Sequence, residues 1–252
     1  MVVAALIAGW LAVATAQPVP APSWVGNTLA FEAHLRNAEI VRLEDIGTGV
    51  TRPRRAYLNP ALPFESLTWK VLPPSRRTGY WESYKSEIAA YELDKLFGMN
   101  MIPPAVERKI GDETGAAIVW VPGMKSVRQL GNKVPSGAAW AKPLRKMLTF
   151  DNFIANIDRN AGNMLIGAPG ELILIDHSRA FTTTEQMAKT IERVDAELWG
   201  KIQALTREDL DRALGPWLDD DAIGAMLARR ARMDTAIEKL VKKKGRSLVI
   251  VQ

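Results

Sequence analysis

The apolar pattern of this chain changes period once, at Pro122-Gly123, and that single change restricts its possible folds more than any other feature. Before the break the apolar runs are short and strand-like. VRLEDIGTGVTRPRRAYL reads as two strands joined by a glycine-containing turn, SLTWKVL as a third, and MIPPAVERKI and AAIVWV as two more around a Gly-Asp-Glu-Thr-Gly turn. Helical spacing appears twice among them. Ala30 to Ile40 has it, and so does SYKSEIAAYELDKLFG, an amphipathic stretch with Ile88, Tyr91, Leu93 and Leu96 available for burial and Gly98 as its stop. After the break, Leu144, Met147, Leu148, Phe150, Ile154 and Ile157 recur at helical intervals. From Thr206 the chain reads as helical, opened by a Thr206-x-x-Asp209 capping box and interrupted at Gly215-Pro216. The expected architecture is α+β in two lobes: residues 24–121 built on an antiparallel sheet with one main helix, residues 122–252 mostly helical. A chain of 252 residues is long enough for two lobes sharing a cleft.

Charge and composition narrow the function less than they narrow the fold. The 33 basic and 28 acidic residues give a net charge of +5, scattered except at Arg52, Arg54, Arg55 and the run Lys242 to Lys244. That balance suits phosphate ligands, but no basic stripe interleaved with aromatics points to nucleic acid. The lysine run reads as the solvated end of a helix. With no cysteine, disulfides, thiol chemistry and cysteine metal sites are excluded. Two distant histidines, His34 and His177, give no support to a zinc hydrolase and are expected in structural roles. Residues 1–16 are apolar and end in Ala14-Thr15-Ala16, a pattern a signal peptidase accepts. The run is shorter than the ~20 residues that span a bilayer, so no stable membrane span is expected. If the signal is genuine the protein is exported or enters a secretory pathway; otherwise it is cytoplasmic.

The chemistry concentrates in residues 153–181, FIANIDRNAGNMLIGAPGELILIDHSRAF. MLI and ELILI flank Ala168-Pro169-Gly170 as a β-hairpin, and the second strand runs directly into Asp176. Asp158 falls where the preceding helix stops, with Asn163 five residues on. A carboxylate at a helix end, an amide and a carboxylate at a strand end are the hard oxygens that Mg²⁺ takes when it carries nucleotide phosphates. Asp158-x4-Asn163 has the internal spacing of the protein-kinase catalytic loop. Upstream, Lys70 stands in a strand between Trp69 and Val71, an awkward place for an ammonium unless an acid or a phosphate meets it. Glu87 on the next helix is the candidate acid. The alternatives are that Lys70 snorkels from an edge strand and that Glu87 is a solvated helix residue.

These blocks, TWK, SYKSEIAAYELDKLFGMNMIPPAVER, FDNFIANIDRNAGN and LILIDHSRAF, resemble the secretory-pathway kinases related to the Golgi casein kinase. More distantly the chain is similar to HipA-like and phosphatidylinositol-kinase-like atypical kinases. The resemblance covers about residues 66–181 and implies a two-lobed protein-kinase-like fold with an αC-like helix. It implies Lys70 and Glu87 as the ion pair, Asp158 as the catalytic aspartate, and Asn163 and Asp176 as ligands of Mg²⁺ or Mn²⁺ with ATP. A phosphate-binding glycine loop would fall at Gly47 and Gly49, with Arg52 where a third glycine usually stands. Asn160 occupies a position held by histidine in many relatives. Trp120, at the expected hinge, is the candidate for lining the adenine pocket. The implied function is an ATP-dependent phosphotransferase that moves the γ-phosphoryl group to a hydroxyl of a protein, glycan or small-molecule acceptor. A pseudokinase or nucleotide-binding interaction module is the alternative, with nucleotidyl transfer on the same fold as a third reading.

Overall fold

The computed structural model describes residues 23–47, 52–77 and 79–252, so the expected signal segment and Gly49 lie outside the described residues. Among those residues no helix is long and apolar enough to cross a membrane. The chain begins with α1 (Thr28–Asn37), β1 (Glu39–Asp45), β2 (Arg54–Asn59) and β3 (Ser66–Lys70). A small hairpin, β4 (Ser75–Arg77) with β5 (Tyr80–Glu82), leads into α2 (Tyr84–Phe97), after which come β6 (Ala105–Ile110) and β7 (Glu113–Val119). The main sheet has the order β1-β2-β3-β7-β6, antiparallel throughout. Strand β3 is therefore central, which removes the edge-strand reading of Lys70.

Alternation along β3 sorts its side chains to two faces. Leu67 and Trp69 are fully buried in a cluster with Phe31 and Leu35 of α1, while Thr68 and Lys70 point into a cavity on the other face. Helix α1 is shorter than its spacing suggests, because Ile40 already belongs to β1. Arg108 explains the early stop. Its guanidinium donates to the carbonyls of Leu35 and Ala38 at 2.8 and 2.6 Å, satisfying acceptors that a further helical turn would have used.

Helix α2 has both of its sequence-level signals in place. The Ser83 hydroxyl accepts the Lys85 amide at 3.0 Å, and Gly98 caps the other end in the left-handed conformation at φ 62°. Burial is broad. The solvent-facing stripe is narrow and carries half-buried Lys85 and Glu92 and exposed Lys95 and Leu96, so Leu96 is 46 % exposed rather than packed.

Beyond β7 the chain makes β8 (Lys125–Ser126), α3 (Ala138–Phe153), β9 (Met164–Ile166) and β10 (Leu172–Leu174). Strands β9 and β10 form the expected hairpin, and β8 adds to it as a third strand. Met147, Phe150 and Ile154 are buried as their spacing requires, whereas Leu148 and Ile157 are 41 % and 44 % exposed. Then follow β11 (Val194–Asp195), α4 (Ala196–Ala204), α5 (Arg207–Leu214), α6 (Asp220–Lys244), α7 (Arg246–Val249) and β12 (Ile250–Val251), which pairs in parallel with β11. Thr206 and Asp209 form the complete capping box of α5. Lys242 to Lys244 make the basic last turn of α6.

The largest apolar cluster does not divide at residue 122. Ile88, Leu93 and Phe97 of α2 pack in one body with Phe150 and Phe153 of α3 and Leu210 and Leu214 of α5.

Candidate active site

Lys70 ends β3 with its side chain 6 % exposed, and its Nζ lies 2.6 Å from Glu87 Oε1 and 2.7 Å from Asp176 Oδ1. Burial alone would favour the neutral amine. The carboxylates of Asp176 and Glu87 outweigh that penalty and hold the ammonium's pKa above its ordinary value. Burial likewise opposes the charge on Glu87, but Lys70 and the His177 contacts keep it well below the usual carboxylate range. The second oxygen of Glu87 accepts the His177 backbone amide at 2.8 Å, so one carboxylate from the first turn of α2 grips both β3 and the segment after β10.

Asp176 has the left-handed backbone value φ 58°, uncommon for a residue other than glycine, just past the end of β10. Its Oδ1 also accepts the Ser178 hydroxyl at 2.9 Å. His177 is buried, and burial followed by the nearby Arg159 lowers its pKa, leaving a neutral ring. Arg159 Nη2 lies 2.8 Å from His177 Nε2; since arginine can only donate, Nε2 accepts and the ring proton sits on Nδ1, facing Glu87 at 3.6 Å. The ring is hydrogen-bonded and dry rather than solvated.

The loop after α3 holds Asp158 by several short-range bonds. Its amide donates to Asn156 Oδ1, and its carbonyl accepts the Asn163 side-chain amide at 2.9 Å. Asn160 Nδ2 donates to the Asp158 carboxylate at 3.1 Å, and Arg179 Nη1 to its other oxygen at 3.2 Å. Arg159 fixes this loop to the rest of the site. It is paired with buried Asp151 through Nε at 2.9 Å and Nη2 at 3.0 Å, and it donates to the carbonyls of Asn163 and Ile175. Arg179 in turn binds Glu82 at the end of β5.

Lys70, Glu87, Asn163 and Asp176 all line one cavity of about 450 Å³. Its other end is apolar, bounded by Val119, Trp120, Val121 and Leu165 where β7 leaves the sheet. Asp158 adjoins this group through Asn163. Gly47 and Arg52 are exposed; among the described residues of that loop, Ile46 and Pro53, joined by an Ile46 amide to Pro53 carbonyl bond of 3.2 Å, reach the cavity wall.

The donor set fits a divalent cation that arrives with phosphate. Asp176 Oδ1 is engaged by Lys70 and Ser178, and the Asn163 amine is turned to Asp158, which leaves Asp176 Oδ2 and the Asn163 amide oxygen as hard donors in the cavity. Among the described residues no group of three or more acids, histidines or cysteines is arranged to hold a metal by itself.

Arg159, Asp151, Arg179 and Glu82 are polar residues of the site that local sequence pattern does not announce, and so are Arg128, which donates to Asn160 Oδ1 at 3.0 Å, and Gln129 in the cavity wall. Arg159 and Arg179 sit inside the motif blocks, but their partners lie 8 and 97 residues away, and no local pattern announces those pairings.

No protein-family model matches the sequence, and no curated protein matches it. Solved structures do. A hydra Fam20 structure solved with sugar is 18% identical with a TM-score of 0.63, covering 86% of this chain and 90% of that one. The Golgi casein kinase with Mn and ADP bound is 14% identical with a TM-score of 0.67, covering 90% and 79%. The Helicobacter pylori proinflammatory kinase CtkA is 10% identical with a TM-score of 0.51, covering 83% and 98%. The chain thus has the two-lobed kinase-like fold of these proteins, with an antiparallel N-terminal sheet and a mainly helical second half.

Proposed function

We propose that this protein is an ATP-dependent phosphotransferase that moves the γ-phosphoryl group of ATP to a hydroxyl acceptor. The observation that carries the reading is Lys70: a buried ammonium in a cavity wall, gripped by Glu87 and by Asp176 from 106 residues away. A purely structural ion pair has no need to face a cavity, whereas a cation aimed at nucleotide phosphates does. The neighbour solved with Mn and ADP supports nucleotide and metal as the ligands of this fold.

In this reading the apolar end of the cavity, with Trp120, receives the base, and Lys70 meets the α- and β-phosphates. Glu87 keeps Lys70 protonated and in place. Asp176 and Asn163 hold Mg²⁺ or Mn²⁺, which when bound neutralises charge on the phosphate oxygens. Asp158 orients the acceptor hydroxyl and takes its proton as the acceptor oxygen bonds to the γ-phosphorus. The bond from that phosphorus to the β–γ bridging oxygen breaks, and ADP leaves. Arg159 supports Asp158 by fixing the loop against β10.

Thermal unfolding with ATP and Mg²⁺ or Mn²⁺ tests binding, and γ-labelled ATP offered with a cell extract tests transfer. Stabilisation with label transfer to an extract component is the expected result. Stabilisation without transfer favours the interaction-module reading, and no stabilisation by either metal overturns the nucleotide site.

A further inference from the structure

We propose that a second cavity, of about 770 Å³, is the acceptor site, and that it takes a hydroxyl compound carrying an anionic group, carboxylate or phosphate. The proposal rests on the phosphotransferase reading for its acceptor role. The cavity is bounded by the β4–β5 hairpin, the start of α2, the residues after Asp176 and the junction of α5 with α6. Arg179 and Ile157 both line it, and Arg179 Nη1 is 3.2 Å from the Asp158 carboxylate. Asp158 does not itself line the cavity; Arg179 is the side chain that links this wall to the group that would accept the hydroxyl's proton.

The charge of the lining indicates what enters. Arg76, Lys85 and Arg179 contribute three cations, against the single carboxylate of Asp219. That carboxylate is already committed to the α6 N-terminus, where it accepts the Ala222 amide at 2.8 Å. Among the described residues neither Arg76 nor Lys85 pairs with an acid; Arg76 has only a 3.3 Å bond to the Gly79 carbonyl. Two uncompensated cations facing a concave surface raise the local concentration of anions. Tyr80 and Trp81 are 45 % and 39 % exposed on the same wall; the Arg179 guanidinium lies 4.6 Å from the Tyr80 ring centroid, and the remaining ring surface gives a carbon skeleton an apolar face.

Calorimetric titration of the full chain without nucleotide, using two matched pairs, tests the site. The pairs are D-glucuronate with D-glucose, and glycerol 3-phosphate with glycerol. The expected result is that the anionic member of at least one pair binds at least tenfold more tightly than its neutral partner. Whichever pair responds separates carboxylate from phosphate. The Arg76→Ala/Lys85→Ala double variant then loses that preference at least tenfold, with its circular dichroism and melting curve as fold controls. Equal binding within both pairs, or a preference that survives the double substitution, overturns the proposal. Stabilisation by ATP and Mn²⁺ is read on the same samples: its absence in the wild-type chain brings down the phosphotransferase reading and the acceptor role with it, while the anion titration still decides whether the cavity is an anion site.

Discussion

Taking an ammonium or a carboxylate out of water costs several kcal/mol, so Lys70 and Glu87 are stable where they stand only as a pair. This gives the site a pH signature. Glu87 has its pKa depressed on folding, so its contribution is present above the ordinary value of 4.5 and is lost as pH falls below it. Lys70 has its pKa raised, so its contribution is present below 10.5 and is lost as pH climbs beyond that. Between those limits the pair is intact. Glu87→Gln leaves a buried ammonium with one acid instead of two and is expected to cost about 3–5 kcal/mol at neutral pH. Urea unfolding at pH 6 and pH 3.5 checks this: the loss of stability on acidification should be smaller in the variant than in the wild-type chain, and an equal loss would assign the acid limb elsewhere. Asp158 makes a different prediction, because its carboxylate is partly exposed and belongs to no apolar cluster. Asp158→Asn should fold normally and keep its ATP-dependent thermal shift while kcat for transfer falls about 10²–10⁴-fold. Asp176→Ala should instead lose the metal-dependent part of that shift. These residues were readable in the sequence because each is a polar group in an apolar run, where packing offers no reason for it. Arg159 and Arg179 were not, since an arginine beside other polar residues signals nothing until Asp151 and Glu82 are brought against it.

At the scale of elements, α2 connects sequence to site most directly, because its first turn carries Glu87 and its caps set its register. Gly98 is at φ 62°, and a side chain added there would meet nothing closer than Lys201 Nζ at 3.9 Å. The cost of Gly98→Ala is therefore conformational, about 1–2 kcal/mol, with no steric part. Chemical denaturation should give that loss, and a value near zero would mean that the cap shifts to accommodate alanine. Elements that carry their own stop signals and a full amphipathic period were the legible ones: α2, α5 and the β9–β10 hairpin. The two-residue strands β8, β11 and β12 were not, because a pair such as Val194 with Ile250 is decided by the tertiary fold and leaves no trace in local pattern. The end of α1 belongs with them. Its spacing continues to Ile40, and it stops early because Arg108, from a strand far along the chain, takes the carbonyls of Leu35 and Ala38.

For the whole molecule, the sequence break at Pro122-Gly123 marks a change of architecture but not a boundary of the core. Periodicity shows that α2 is amphipathic without showing what its apolar side meets, and the answer is the helical half. Phe97 lies 6.4 Å from Phe150 and 6.2 Å from Phe153, centroid to centroid, and Lys201 of α4 donates to the Phe97 carbonyl at 2.6 Å. From the other direction, the Leu174 amide of β10 donates to the Met101 carbonyl at 2.7 Å, and buried Asp94 accepts the Met101 amide at 3.0 Å. The segment just after α2 is thus tied to the second half through the Met101 C=O, while the Met101 N–H is held by α2 itself. A fragment of residues 122–252 would lose Ile88, Leu93 and Phe97 from its core, each a deletion on the scale of about 2–5 kcal/mol. Since a whole domain is stable by only ~5–15 kcal/mol, the fragment should not fold. Expressed alone it should lack a cooperative melt, whereas the full chain should unfold in one transition with the same midpoint by far-ultraviolet circular dichroism and tryptophan fluorescence. Two separated transitions in the full chain, or a cooperative melt of the fragment, would show that α2 is dispensable to the helical core. The coupling also fits the chemistry. The 2.7 Å contact between a cation on β3 and a carboxylate after β10 is held by a helix packed against both halves, whose Glu87 bonds Lys70 on one side and the His177 amide on the other.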